Sequence, residues 1–250
     1  MFTLVGYSQS VDTAGALTLH TAIPDPHVRT QGNDVVVPND LNNVILAFAG
    51  GSGPISRAQL QSPSLRAVLN PEIAPLDVAA VPATPPLIAD YRDSPLPLAK
   101  GEFLDFAAAE TGAGAQRQNG FVWLADGPVK IDTRPYFTVR VTAATTLVAF
   151  TWTNAGLTFD QTLPAGQYAI VGARFRSATG LAFRFVVPAY LWRPGALMFA
   201  STASYDEPWF RAGNMGEWAT FAHNAPPTVD FVATAADAAE TGELDLVKVA

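Results

Sequence analysis

The chain has 250 residues, a formal charge of −7 at pH 7 and no cysteine. Charged residues make up 15% of it, against about 25% in an ordinary globular domain. The length suits one large β domain or two of roughly 100–130 residues. The acidic balance, without clustered Lys or Arg, argues against direct nucleic-acid binding. The lack of cysteine excludes disulfide staples and thiolate metal sites. A surface so poor in charge is expected where other subunits cover much of it.

The first ten residues hold no Lys or Arg and no long apolar run follows, so no signal peptide is expected. In chain order, Phe2-Thr-Leu-Val-Gly6 reads as an opening strand. An apolar-Pro step at Pro38 leads through a polar turn into the strand Val44–Phe48, and Ile55–Leu60 follows. Short helices are expected over Leu41–Leu46, around Ser64–Leu69 and near Arg211–Thr220. The proline-rich stretch Pro71–Pro97 has too many apolar residues for a free linker and reads as an ordered, irregular loop. Phe121–Leu124 is the next strand. Period-2 alternation then marks Phe137–Thr142, Leu147–Trp152, Gln167–Arg176 and Leu181–Val187, with Leu244–Val247 at the end. Val141 to Phe159, the longest uncharged stretch, is broken by threonines and an asparagine and does not read as a membrane span.

The most informative feature is a repeat. Pro38 and its following strand match Pro164 and its strand. Gly53 matches Gly180 at the next loop, Arg66 matches Arg193, and Asp105 matches Asp230. The offsets are 126 (164 minus 38), 127 (180 minus 53), 127 (193 minus 66) and 125 (230 minus 105). Phe2 and Phe137 open the two copies at an offset of 135. A period this long means duplicated domains rather than a solenoid. The expected domains are 1–130, with loop 71–97, and 131–250, with an aromatic loop at 199–221. The boundary falls near Pro128–Pro135.

No residue is assigned a catalytic, cofactor or metal role. A cupin-type metal site needs two histidines one residue apart, and His20, His27 and His223 lack that spacing. No Gly-x-Ser-x-Gly elbow and no Walker loop occur. Asp40 and the Asp206-Glu207 pair lack an arguable spatial partner for glycosidase chemistry. The recurring Asp105 and Asp230 suit a shared turn or strand start. Tyr205, Trp209, Phe210, Met215 and Trp218 crowd one loop, and such residues are enriched in interface cores. They read as a subunit contact, with a loop folded back over its own barrel as the alternative.

A duplicated β unit with few charges and long loops in equivalent places, carrying Leu163-Pro-Ala-Gly-Gln-Tyr-Ala169, Trp192-Arg-Pro-Gly195 and Pro226-Pro-Thr-Val-Asp-Phe231, resembles the double jelly-roll major capsid proteins of tailless, often membrane-containing bacteriophages and of adenoviruses. The resemblance implies an all-β fold of two tandem jelly-roll barrels with short helices in the loops. It implies a structural, non-enzymatic protein that forms pseudo-hexagonal homotrimers in an icosahedral shell. Its place would be the virion, with assembly in the host cytoplasm. Partners would be other copies, further capsid proteins such as a vertex protein, and a membrane beneath the shell; no cofactor is implied. The alternatives are a carbohydrate-binding or adhesive β-sandwich of a bacterial surface and a two-domain, bicupin-like enzyme.

Overall fold

The computed structural model describes residues 1–250 except 52–54, 78–80, 84, 113, 189, 200–207 and 238–239. About 50% of the chain is strand and 3% helix, so the protein is all-β. It forms two compact units, Phe2–Pro128 and Val129–Ala250, the second also including Met1.

The first unit contains β1 (Phe2–Val11), β2 (Thr18–Leu19), β3 (Thr21–Ala22), β4 (Thr30–Gln31), β5 (Asp34–Val36), β6 (Asn43–Gly51) and β7 (Ile55–Gln61). After helix α1 (Pro63–Arg66) come β8 (Ala89–Asp90), β9 (Leu96–Pro97), β10 (Phe103–Glu110) and β11 (Gln116–Ala125). One antiparallel layer runs β3-β1-β11-β6-β8, with β9 also on β6. In the other layer β10 lies between β7 on one side and β2 and β5 on the other, and β4 extends β5. Backbone bonds from Leu60 N–H to Pro71 O (3.1 Å) and from Ile73 N–H to Ala58 O (2.8 Å) lay the next segment along β7. The layers meet where Tyr7 stacks on Phe106, ring centroids 5.8 Å apart. Gly120 is required at that contact, because a Cβ there would lie 2.5 Å from the Phe106 ring.

The second unit contains β12 (Phe137–Ala143), β13 (Thr153–Gly156), β14 (Thr158–Phe159), β15 (Gln167–Arg176), β16 (Gly180–Val186), β17 (Gly195–Leu197), β18 (Ala219–Ala222), β19 (Thr228–Ala233) and β20 (Glu240–Lys248). Its layers run β14-β12-β20-β15-β18 and β13-β19-β16-β17. They are held face to face by Phe175, Phe183, Phe185 and Phe231, with Phe175 and Phe183 centroids 4.7 Å apart. Alternating apolar residues on each strand supply the inward face, as a two-layer β structure requires.

The two units share one strand order. The path β1-β11-β6-β8 corresponds to β12-β20-β15-β18, and β2/β5-β10-β7 to β13-β19-β16. The bulges recur as well. Against β11 the ladder skips Ile45 in β6, and against β20 it skips Val171 in β15, an offset of 126 (171 minus 45). Against β10 it skips Ser56, and against β19 it skips Leu181, an offset of 125 (181 minus 56). Bulges re-aim a strand and behave as built features of a sheet. These offsets agree with the one through Pro38 and Pro164.

Other expected correspondences shift. The registers give Thr3, not Phe2, as the partner of Phe137, since Thr3 pairs Leu124 where Phe137 pairs Leu246. Asp105 pairs Gln61, whereas Asp230 pairs Arg184, so the two aspartates are not equivalent. Arg66 ends a helix while Arg193 lies in coil before β17. Gly53, in the matched loop, lies outside the described residues.

Of the helices, α1 forms: Ser62 caps it, its Oγ accepting from Leu65 N–H at 3.1 Å, and Pro63 stands at the first turn. Leu41–Leu46 instead runs into β6, where Val44 and Ile45 suit a strand. Residues 211–220 turn rather than coil into a helix. Gly213 and Gly216 take φ of 73° and 70°, and Trp218 N–H bonds to Ile170 O (2.8 Å), leading into edge strand β18. The expected strand Leu147–Trp152 is bent at Phe150, φ 52°, whose N–H bonds to Ala233 O. The loop Pro71–Pro97 contributes two short edge strands, β8 and β9.

Candidate functional site

Among the described residues no group of three or more His, Asp or Glu is arranged to hold a metal ion. His20 is fully buried in the first unit, edge-on to Phe106 at 5.0 Å, with Nδ1 2.9 Å from Thr18 O. Burial lowers its pKa to about 4, against smaller opposing pulls from the Thr18 carbonyl and Gln118. It is therefore a neutral core residue at pH 7. His27 sits in a turn whose N–H groups bond the Asp25 carboxylate. His223 is an exposed turn residue whose Nδ1 accepts from Gly166 N–H at 3.3 Å.

Trp218 is buried in the second unit, stacked on Phe183 (6.4 Å) and tilted against Phe185 (5.9 Å). Phe210 and Met215 are also buried. This corrects the expectation of a subunit contact for these three: Trp218 packs into the core of its own unit, and Phe210 is buried beside, and Met215 within, the 211–218 segment pinned to β15. Tyr205, Asp206 and Glu207 lie outside the described residues. Asp40 is exposed in the turn before β6.

Three polar groupings carry the electrostatics. In the first unit Asp34 and Asp105 stand across β5 and β10, flanking the Val35–Leu104 pair. Burial, then the hydrogen bond and charge of Asp34, push the Asp105 carboxyl up to about 7, with Arg66 opposing. Carboxylates facing each other across strands repel, so the pair holds a proton near neutrality. In the second unit Arg184, fully buried on β16, pairs with Asp230 (3.2 Å) and lies 4.1 Å from the centre of the Trp152 ring. Asn154 donates to the same carboxylate at 2.7 Å. On the outer face of the other layer, Arg174 pairs with Glu243 (2.8 Å) and Arg211 with Asp245 (2.8 Å). The third grouping, Glu240 with Ser177 and Asp237, lies at one end of the second sandwich.

The most exposed apolar side chains are Val68 (93%) and Leu69 (77%), side by side after α1. Their backbone is pinned, both N–H groups bonding to Leu65 O at 3.2 and 3.1 Å. The tip is thus a fixed feature that presents apolar surface to solvent. In the second unit Pro194 accepts from Phe185 N–H as Pro71 accepts from Leu60 N–H, so the corresponding pair is Leu191-Trp192, of which Leu191 is exposed (59%) and Trp192 buried. Sequence reasoning missed this tip. Its only signal was an apolar pair placed just before the turn residues Asn70-Pro71. The polar clusters were equally hidden, because each joins residues from distant strands.

The fold and these groupings define a two-unit β-sandwich protein. No protein-family model matches the sequence, and no curated protein matches it. Among solved structures, a Paenibacillus xanthan lyase is similar over 97% of this chain at 11% identity, with a TM-score of 0.24. The chain spans 25% of that lyase's length. A likeness this weak carries no argument about fold or activity.

Proposed function

We propose that the chain is a viral major capsid protein of the double jelly-roll kind, each unit being one jelly roll, and that it acts by assembling with itself into trimers that tile an icosahedral shell. The observation that carries the reading is the shared strand order. In each unit the first strand neighbours the last, and the last neighbours the strand that opens the middle of the unit. The second layer repeats the same logic, and an order of this kind supports the jelly-roll reading. Two such units in one chain give six similar units in a trimer, which suits a near-hexagonal tile.

Assembly needs apolar surface without random strand pairing. The pinned Val68-Leu69 tip supplies such surface, and a low charge fraction lessens the desolvation cost of covering neighbouring surface. The acidic balance suits a shell protein that leaves the genome to other components.

Light scattering after size exclusion tests the proposal. A trimer of the 26.5 kDa chain would run at about 80 kDa, three times that mass, or in larger particles as concentration rises. Replacing Val68 and Leu69 by serine should weaken that association at least tenfold, equivalent to about 1.4 kcal/mol. A wild-type chain that stays monomeric at high concentration refutes the proposal.

A further inference from the structure

The shared register makes Gln118 and Glu240 the same position of the repeat. The pairs Val44–Leu124 and Ile170–Leu246 set β11 and β20 122 apart (246 minus 124), and 240 minus 118 is also 122. Gly120 and Gly242 fall at the same spacing. Both polar side chains are buried, Gln118 fully and Glu240 at 1% exposure. The first unit thus places a neutral amide where the second places a carboxyl of nearly the same shape.

Among the described residues little around Glu240 can stabilise a negative charge. Across β12 it faces Ala143. Ser177, which follows β15, also bears on Glu240, and its hydroxyl donates to Asp237 Oδ2 at 2.7 Å. Because that proton points to Asp237, the pull of Ser177 on Glu240 is the smallest of the influences there. Neither Glu240 oxygen accepts a hydrogen bond among the described residues. Arg174, Arg176 and Glu243 belong to the same strands but pair with one another through residues on the opposite face from Glu240. The charged group that bears on Glu240 is Asp237, of like sign. Residues 238 and 239 are alanines. A hard divalent cation would want six or more oxygens, and two carboxylates with one hydroxyl supply too few. A proton needs only one.

We propose that Glu240 is a protonation switch: as a neutral acid it closes the end of the second sandwich as Gln118 closes the first, and its ionisation loosens the contact that 233–237 and Glu240 make with 143–150. That contact consists of the Ala143–Glu240 pair, Leu147 N–H to Asp237 O (2.9 Å) and Phe150 N–H to Ala233 O (2.9 Å). Burial first, then the Asp237 charge, push the carboxyl up to about 7, with Ser177 opposing. A folded-state value above the ordinary one makes stability greatest at low pH and lost as pH rises through 7. The switch does not depend on the assembly reading.

Hydrogen exchange of the full chain, read on peptides covering 143–150 and 233–241, tests it. After correction for the base-catalysed chemistry of exchange, the opening equilibrium of these segments should rise roughly tenfold between pH 6 and pH 8. Glu240→Gln should remove that rise. Asp237→Asn should move its midpoint to lower pH, and this variant decides the matter if E240Q does not fold. A pH-independent wild type, an unmoved midpoint in D237N, or an E240Q that keeps the rise would overturn the proposal. So would protection restored at pH 8 by millimolar calcium in the wild type but not in E240Q, which would assign the pair to a cation.

Discussion

The two units build one strand order from different materials. The first puts small residues on its inward faces, Ala108 on β10 and Gly120 on β11, with Phe106 and Tyr7 filling the space between them. The second fills its interior with Phe175, Phe183, Phe185, Phe231 and Trp218. Their charges differ too. The ion pairs of the first unit, Arg57–Glu72 and Arg92–Asp90, are at the surface, where such pairs contribute little. The second has surface pairs as well, Arg140–Asp160 and Arg134–Glu217, but adds two that are largely enclosed, Arg184–Asp230 and Arg211–Asp245. The difference teaches that topology and bulge positions are held while interior volume and charge placement drift. Topology is fixed by turns and register, and volume can be met by many combinations.

The largest expected effects fall on the second unit. Trp218→Ala should cost about 3–5 kcal/mol by opening a cavity among the phenylalanines. Arg184→Ala should cost a similar amount by leaving Asp230 enclosed without its guanidinium. Chemical denaturation followed by tryptophan fluorescence reads both, since four of the five tryptophans lie in that unit. In the first unit Gly120→Ala should cost about 1–3 kcal/mol by overpacking against Phe106. Pairing it with Phe106→Leu should recover part of the loss, which would show that clearance of the Phe106 ring, not glycine itself, is what the position needs.

The pH responses are subtler and run in opposite directions within the first unit. His20 has a folded-state value lowered to about 4, so its contribution is intact above 6.5 and is lost as pH falls toward 4. Asp105, raised to about 7, is favourable at low pH and loses its contribution as pH rises through 7. Melting curves should show His20→Gln flattening the acid side and Asp105→Asn flattening the alkaline side. Last comes Val68→Ser with Leu69→Ser, expected to leave monomer stability within about 0.5 kcal/mol, because both side chains are already in solvent.

The repeat was legible where it is carried by a turn with chemistry of its own. Pro38 and Pro164 precede strands whose bulges fall at the same offset. It was not legible for β10 and β19. Aligning Asp105 with Asp230 slips the true register by two residues, which preserves the in–out alternation and so leaves no warning in the pattern. For β1 and β12 the slip is one residue, hidden because both stretches start with Phe-Thr. Trp218 was misjudged for another reason: burial among Phe183 and Phe185 depends on an edge strand that glycines at 213 and 216 allow, and no periodicity announces it. Asp34 was unreadable because Asp105 reaches it from a distant strand, and Glu240 because its burial, unlike the nearby Asp237, comes from elsewhere in the fold.

The account stands most directly on a cryo-EM reconstruction of the full chain at concentrations where it associates, at a resolution that traces strands. It should show three chains per particle, each with two sandwiches of matching strand order and bulges at Ile45 and Val171. Single chains at every concentration, or halves whose strands neighbour one another in different orders, would contradict it.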